Sequence, residues 1–190
     1  MEAPHESSST QTIYPPLSHE NSIRLIQLQP GTESDSISVT LFQFELHDCP
    51  PYDAISYAWG DPTDTVAITC DSQPFQITHN LRWALTRVRD PDLATLVWAD
   101  AICINQLDVQ ERNRQVALMG DIYTMARSVF LAMGEAKTEG GAEDVESLVE
   151  ISTSWKGQPL LSPSALPRDI RWKSVGELME CSWFTRVWVI

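Results

Sequence analysis

The stretch TLVWADAICINQLDVQERNRQVALMGDIYTMARSVFLAM, residues 95–133, carries the pattern on which the fold turns. Its first ten residues are, after Thr95, an apolar run broken only by Asp100, which suits a strand buried on both faces. Asp108-Val-Gln-Glu111 then resembles a capping box. The spacing that follows predicts a helix over 108–126, with Val116, Met119, Tyr123 and Ala126 on one inward stripe. RSVFLAM (127–133) is a second buried strand. Strand, amphipathic helix, strand is the unit from which parallel α/β sheets are built.

Working outward, YDAISYAW (52–59) is another short apolar run of the buried-strand kind. TVAITC and PFQIT flank Asp71-Ser72-Gln73 and predict a hairpin. Asn80 is placed to cap a helix that carries Leu81, Ala84, Leu85 and Val88 on one face. Upstream, IRLIQL (23–28) and ISVTLFQFEL (37–46) predict two strands, and a phase change near Leu41–Phe42 suggests a bulge or burial on both sides. Residues 1–20 contain Ser, Thr and Pro without periodicity and are expected to be a flexible tail, with one domain over 21–190. Past residue 134 the pattern weakens. It allows an acidic helix over 142–152, an irregular loop marked by Pro159, Pro163 and Pro167, and a last helix carrying Val175, Leu178 and Met179. The expected architecture is α/β, with a largely parallel central sheet flanked by helices and an antiparallel elaboration before it.

Thirteen Lys and Arg stand against 26 Asp and Glu, a formal charge of −13. Such a chain is repelled by nucleic acid unless it carries a basic patch, and Arg82, Arg87 and Arg89 are its nearest approach to one. No apolar run approaches the ~20 residues a membrane helix needs. The N-terminus lacks the basic start and apolar centre of a secretory signal. Cys49, Cys70, Cys103 and Cys181 are far apart, with no Cys-x-x-Cys or Cys/His pairing. That argues against a metal site and for reduced thiols, so a cytoplasmic location is expected.

Candidate site residues cluster after the buried strands. Ser56, Tyr57, Trp59, Gly60 and Asp61 follow the first, where ligands of open parallel sheets bind. Trp59 could stack on a base or nicotinamide ring, and Gly60 permits close backbone approach. The alternative, that Trp59 plugs the core and Gly60-Asp61-Pro62 is only a turn, carries equal weight. Asp100 and Asn105 stand at the end of the next strand, where a carboxylate in apolar surroundings needs a partner. Arg112 shares the Val116 stripe, so an Asp100–Arg112 pair is favoured over a ligand clamp. Cys103, between two isoleucines and far from histidine, is expected to be a buried, inert thiol. Arg186, between Phe184 and Trp188, contacts a phosphate or stacks structurally.

Three segments, YDAISYAWGD (52–61), LVWADAICINQLDVQERNRQVALMGDIYTMARSVFLAMG (96–134) and SWFTRVWVI (182–190), closely resemble the heterokaryon incompatibility (HET) domain. Ile55 stands where that family commonly has Leu, and Ala99 where it has Ile. The resemblance implies a role in fungal self/non-self recognition and regulated cell death. YDAISY is also similar to the first box of Toll/interleukin-1 receptor (TIR) domains, which implies a flavodoxin-like fold. Some TIR domains cleave NAD with a glutamate four residues after a tryptophan. Trp188 begins that pattern, and the sequence ends at Ile190 before the glutamate, so this chain is expected to be inactive as a NAD glycohydrolase, with Asp100 and Glu111 the weaker catalytic candidates. Ser56, Tyr57, Trp59, Gly60, Asp61, Asn105, Arg112, Arg186 and Trp188 would then hold the ligand, NAD. The alternatives are a death-signalling module that works by self-association or with other incompatibility proteins, and an inactive relative.

Overall fold

The computed structural model describes residues 13–133 and Trp183. Among the described residues seven strands form one sheet: β1 Ser22–Leu28, β2 Ser38–Glu45, β3 Asp53–Tyr57, β4 Thr65–Cys70, β5 Gln73–Thr78, β6 Thr95–Trp98 and β7 Ser128–Ala132. Their order is β5-β4-β2-β1-β6-β3-β7. The helices are α1 His79–Val88, the single turn α2 Asp100–Cys103, and α3 Val109–Met125.

The expected parallel core is β6-β3-β7, with Asp53 opposite Val97 on one side and Ser128 on the other. Antiparallel pairing enters through β1 against β2 and β6, and through the β4–β5 hairpin. The result is a mixed α/β sheet. Most apolar runs went where their composition sends them, but β7, expected to be buried, is exposed at Val129, Phe130 and Leu131. Ile23, Leu25, Ile26 and Leu28 of β1 are fully buried, as are Ala54 and Ile55 of β3 and Trp98 of β6. Every such Ile or Leu contributes about 1.5–3 kcal/mol of burial. Asp71 and Ser72 both have positive φ, which lets a two-residue loop close the hairpin with the twist of its strands. Among the described residues no helix is long and apolar enough to cross a membrane.

Several local expectations are corrected. The run 95–104 is not one strand: β6 stops at Trp98, and the chain turns through α2. The Cys103 thiol there accepts from the Ala99 amide, and a short apolar run does not by itself distinguish strand from buried helix. β2 has no bulge, since its pairing with β1 runs unbroken from Ser22–Glu45 to Leu28–Val39, and Phe42 is simply exposed. Thr78, not Asn80, caps α1 by accepting from the Leu81 amide. Ahead of β1, the Tyr14 ring lies against the Arg24 guanidinium, which also donates to the Pro15 carbonyl. The helices read over 142–152 and around Val175–Met179 lie outside the described residues.

α3 is turned by about one residue from expectation. Its buried positions are Glu111, Gln115, Met119 and Ile122, while Arg112 is exposed. Asp108 caps it as read, accepting from the amides of Gln110 and Glu111. Glu111 does not reach back to complete the box, because it is held by Arg24.

Candidate functional site

The carboxyl ends of β3 and β6 meet α2 and the start of α3. After Tyr57 the chain turns at Gly60, whose φ of +76° favours glycine, and a Cβ there would lie 2.8 Å from the Asn80 amide nitrogen. Asn80 holds that turn by donating to the Ala58 carbonyl at 3.0 Å. Trp59 is thereby turned out of the core, 40% exposed, and its indole N–H donates to Asp100 Oδ2 at 2.9 Å. Asp100, almost buried, also accepts from the Ala101 amide at 2.8 Å. Gln106 donates its side-chain amide to the Asp100 carbonyl, and Arg112 donates to the Gln106 carbonyl at 3.1 Å. A hydrogen-bonded chain thus runs Trp59–Asp100–Gln106–Arg112.

These four residues line one cavity of about 540 Å³, floored by Ile104, Val116 and Met119. The size falls within the ~300–1,000 Å³ range of small-molecule sites. Its wall is mostly apolar with an anionic and a cationic group, a combination able to hold an aromatic ring and a charged group of one ligand. Trp59 and Gln106 also line a second, smaller cavity together with Asn105.

Among the described residues the buried ion pair is Arg24–Glu111, and Arg112 is exposed rather than paired with Asp100 across an apolar face. Arg24 Nη1 and Nη2 meet Glu111 Oε1 and Oε2 at 2.5 and 3.0 Å, and both side chains are almost wholly buried. Oε1 accepts in addition from the Asn105 amide at 2.7 Å, while Arg24 Nη1 donates to the Cys103 carbonyl. The pair grips both ends of the 103–105 turn and so sets the wall that carries Asn105 and Gln106. Sequence reasoning missed Arg24, Gln106 and Tyr14. The signal for Arg24 was present: a lone charge inside the apolar IRLI of β1 needs a partner as much as Asp100 does. With both oxygens of Glu111 engaged, Asp100 is the carboxylate that faces the cavity.

The remaining candidates divide. Tyr57 is buried in the core. Asp61 is exposed, and its carboxylate accepts from the Thr63 amide and hydroxyl, which hold it below the usual carboxylate range. Ser56 Oγ accepts from the Trp183 indole at 3.1 Å, which ties Trp183 to β3. Arg186 and Trp188 lie outside the described residues. Cys103 is fully buried, and burial pushes its thiol up to about 12, in keeping with the inert reading. The arginines nearest to a basic cluster are partly committed elsewhere. Arg89 donates to the carbonyls of Gln29, Pro30, Asp35 and Ser36, and Arg87 lies over Trp83. Among the described residues no group of three His, Cys, Asp or Glu could hold a metal ion.

Comparison with known proteins bears on the same segments. The family described as heterokaryon incompatibility protein (HET) matches residues 52–190, which include Trp59, Asp100, Arg112 and Trp183. Heterokaryon incompatibility protein 6, OR allele, of Neurospora crassa is 34% identical over 128 residues, covering 60% of this chain and 19% of that protein. The chain therefore aligns with about a fifth of its relative's length. No solved structure matches. With the match spanning β3 to the closing SWFTRVWVI, the chain belongs to the heterokaryon incompatibility (HET) family.

Proposed function

We propose that this chain acts in heterokaryon incompatibility, the process for which its Neurospora relative is named, as a TIR-like module that binds a nicotinamide dinucleotide. The observation that carries the reading is the cavity beyond β3 and β6, which joins Trp59, Asp100 and Arg112 on one wall. Support for the TIR-like part comes from the strand order β6-β3-β7. Taken as the second, first and third strands of a parallel unit, it is the order in which flavodoxin-like sheets begin, and such sheets bind ligands at their strand ends.

In this reading Trp59 offers a ring face to the nicotinamide or adenine, and Arg112 meets a phosphate. Hydrolysis would add water at the ribose C1′ and release nicotinamide, leaving ADP-ribose and a proton. Positive charge builds on the ribose as the glycosidic bond breaks, and a nearby carboxylate lowers that barrier. The TIR likeness assigns this group to a glutamate after Ile190, while Asp100 is the carboxylate on the described cavity wall. The test is nicotinamide release from NAD by the 190-residue chain, by the chain extended with Gln-Glu, and by the Asp100→Asn form of each. Release by the extended chain alone supports the glutamate, and release lost in Asp100→Asn supports Asp100. No release from any form rejects hydrolysis.

One observation favours a second reading, a module that signals by self-association. Val129, Phe130 and Leu131 of β7, the outermost of the described strands on its side of the sheet, are all exposed, and an apolar edge strand is a template for pairing with another chain.

A further inference from the structure

The second cavity, about 300 Å³, shares Trp59 and Gln106 with the first and is otherwise lined by the β4–β5 hairpin, Tyr14 and the turn after α2. Its character differs. None of the residues that line it carries a charge, and three of them are aromatic: Tyr14, Trp59 and Phe75. Tyr14 and Phe75 meet edge to face, at 6.3 Å and 72°, and form a corner. Tyr14 is fixed in that corner by three contacts. Its hydroxyl donates to the Ile102 carbonyl at 3.0 Å, the Arg24 guanidinium lies 5.2 Å from its ring centre, and Phe75 abuts it. Asn105 and Gln106 add side-chain amides to the lining.

We propose that this second cavity binds a neutral, planar aromatic ring of about purine size, stacked on one aromatic wall with its polar edge towards Asn105 and Gln106. Two perpendicular rings offer a face and an edge to an incoming ring at once, the arrangement aromatic groups prefer. A corner held rigid before binding loses little entropy when it is filled. The absence of charge from the lining selects a neutral ring over a phosphate or an ammonium, whose desolvation nothing there would offset. This goes beyond the reading above, since the ring site requires nothing of Arg112 or of hydrolysis.

The test is calorimetric titration of the chain with adenosine and with AMP. Adenosine should bind saturably, and in the Arg112→Gln chain AMP should bind no more tightly than adenosine, because no cation lines this second site. Thr65→Phe, which fills the cavity from the exposed face of β4, should weaken adenosine at least about tenfold without lowering the melting temperature. Phe75→Leu, which keeps bulk but removes the edge, should weaken it about 3- to 10-fold. Arg112→Gln should leave adenosine binding unchanged. No saturable binding of adenosine, or equal affinity in Thr65→Phe, would overturn the proposal. Loss of adenosine binding in Arg112→Gln would also overturn it, by moving the ligand to the larger cavity.

Discussion

Glu111 shows how one side chain can hold a wall in place. Glu111→Gln leaves the Arg24 guanidinium charged and almost wholly buried without its counter-ion. Removing one member of a buried pair costs about 3–5 kcal/mol, whereas replacing both with apolar groups is often neutral. Urea unfolding should therefore show a loss of that size for Glu111→Gln, and recovery of most of it in Arg24→Met/Glu111→Leu. Equal losses in both variants would mean that the pair matters for packing rather than charge. The buried thiols give a pH dependence. Burial raises Cys70 and Cys103 from an ordinary value of 9.0 to about 12. The folded chain thus keeps protons that the unfolded chain releases above about pH 9. Stability from these thiols is fully present below that pH and is lost as pH rises towards 12. Melting temperatures measured from pH 8 to 11 should fall more steeply for the native chain than for Cys70→Ala/Cys103→Ala, and parallel curves would refute the assignment.

At the level of elements, the alternation of apolar strands with one amphipathic helix was enough to identify β3, β6, β7 and α3 and their parallel pairing. The β4–β5 hairpin was legible from its turn residues. What was not legible lay where two local signals compete. From Leu96 to Ile104 the run is apolar except at Asp100, so hydrophobicity alone could not say that the chain leaves the sheet at Trp98 and turns through α2. The phase of α3 was misjudged because a charged residue, Glu111, occupies a core position, and only the distant Arg24 makes that tolerable. Trp59 and Asp100 were readable as candidates for the cavity wall from their place after strands. Gln106 and Tyr14 were not, since their roles depend on contacts between segments far apart in sequence. The outermost described strand, β7, has its own test. If its exposed Val129, Phe130 and Leu131 mediate self-association, sedimentation should show concentration-dependent dimers or larger species, and Phe130→Lys should return the chain to monomer, since a lysine on an edge strand blocks pairing. A chain monomeric at all concentrations would remove the self-association reading.

For the whole molecule, a net charge of −13 sets the terms on which an anionic ligand can approach. Long-range attraction is absent, so binding must come from placed groups at short range. The central claim is that the cavity beyond β3 and β6 is such a place, with Trp59 and Arg112 as the groups that hold the ligand. Calorimetric titration of the purified chain with NAD tests it most directly, because binding is measured whether or not turnover follows. Saturable binding is predicted, weakened at least about tenfold in Arg112→Gln, since truncating a hydrogen bond to a charged group costs about 1.5–3 kcal/mol. A similar loss is predicted in Trp59→Leu through the missing ring face. Failure of the native chain to bind NAD at about 10 mM, a limit near −2.7 kcal/mol, or unchanged affinity in both variants, would contradict the account.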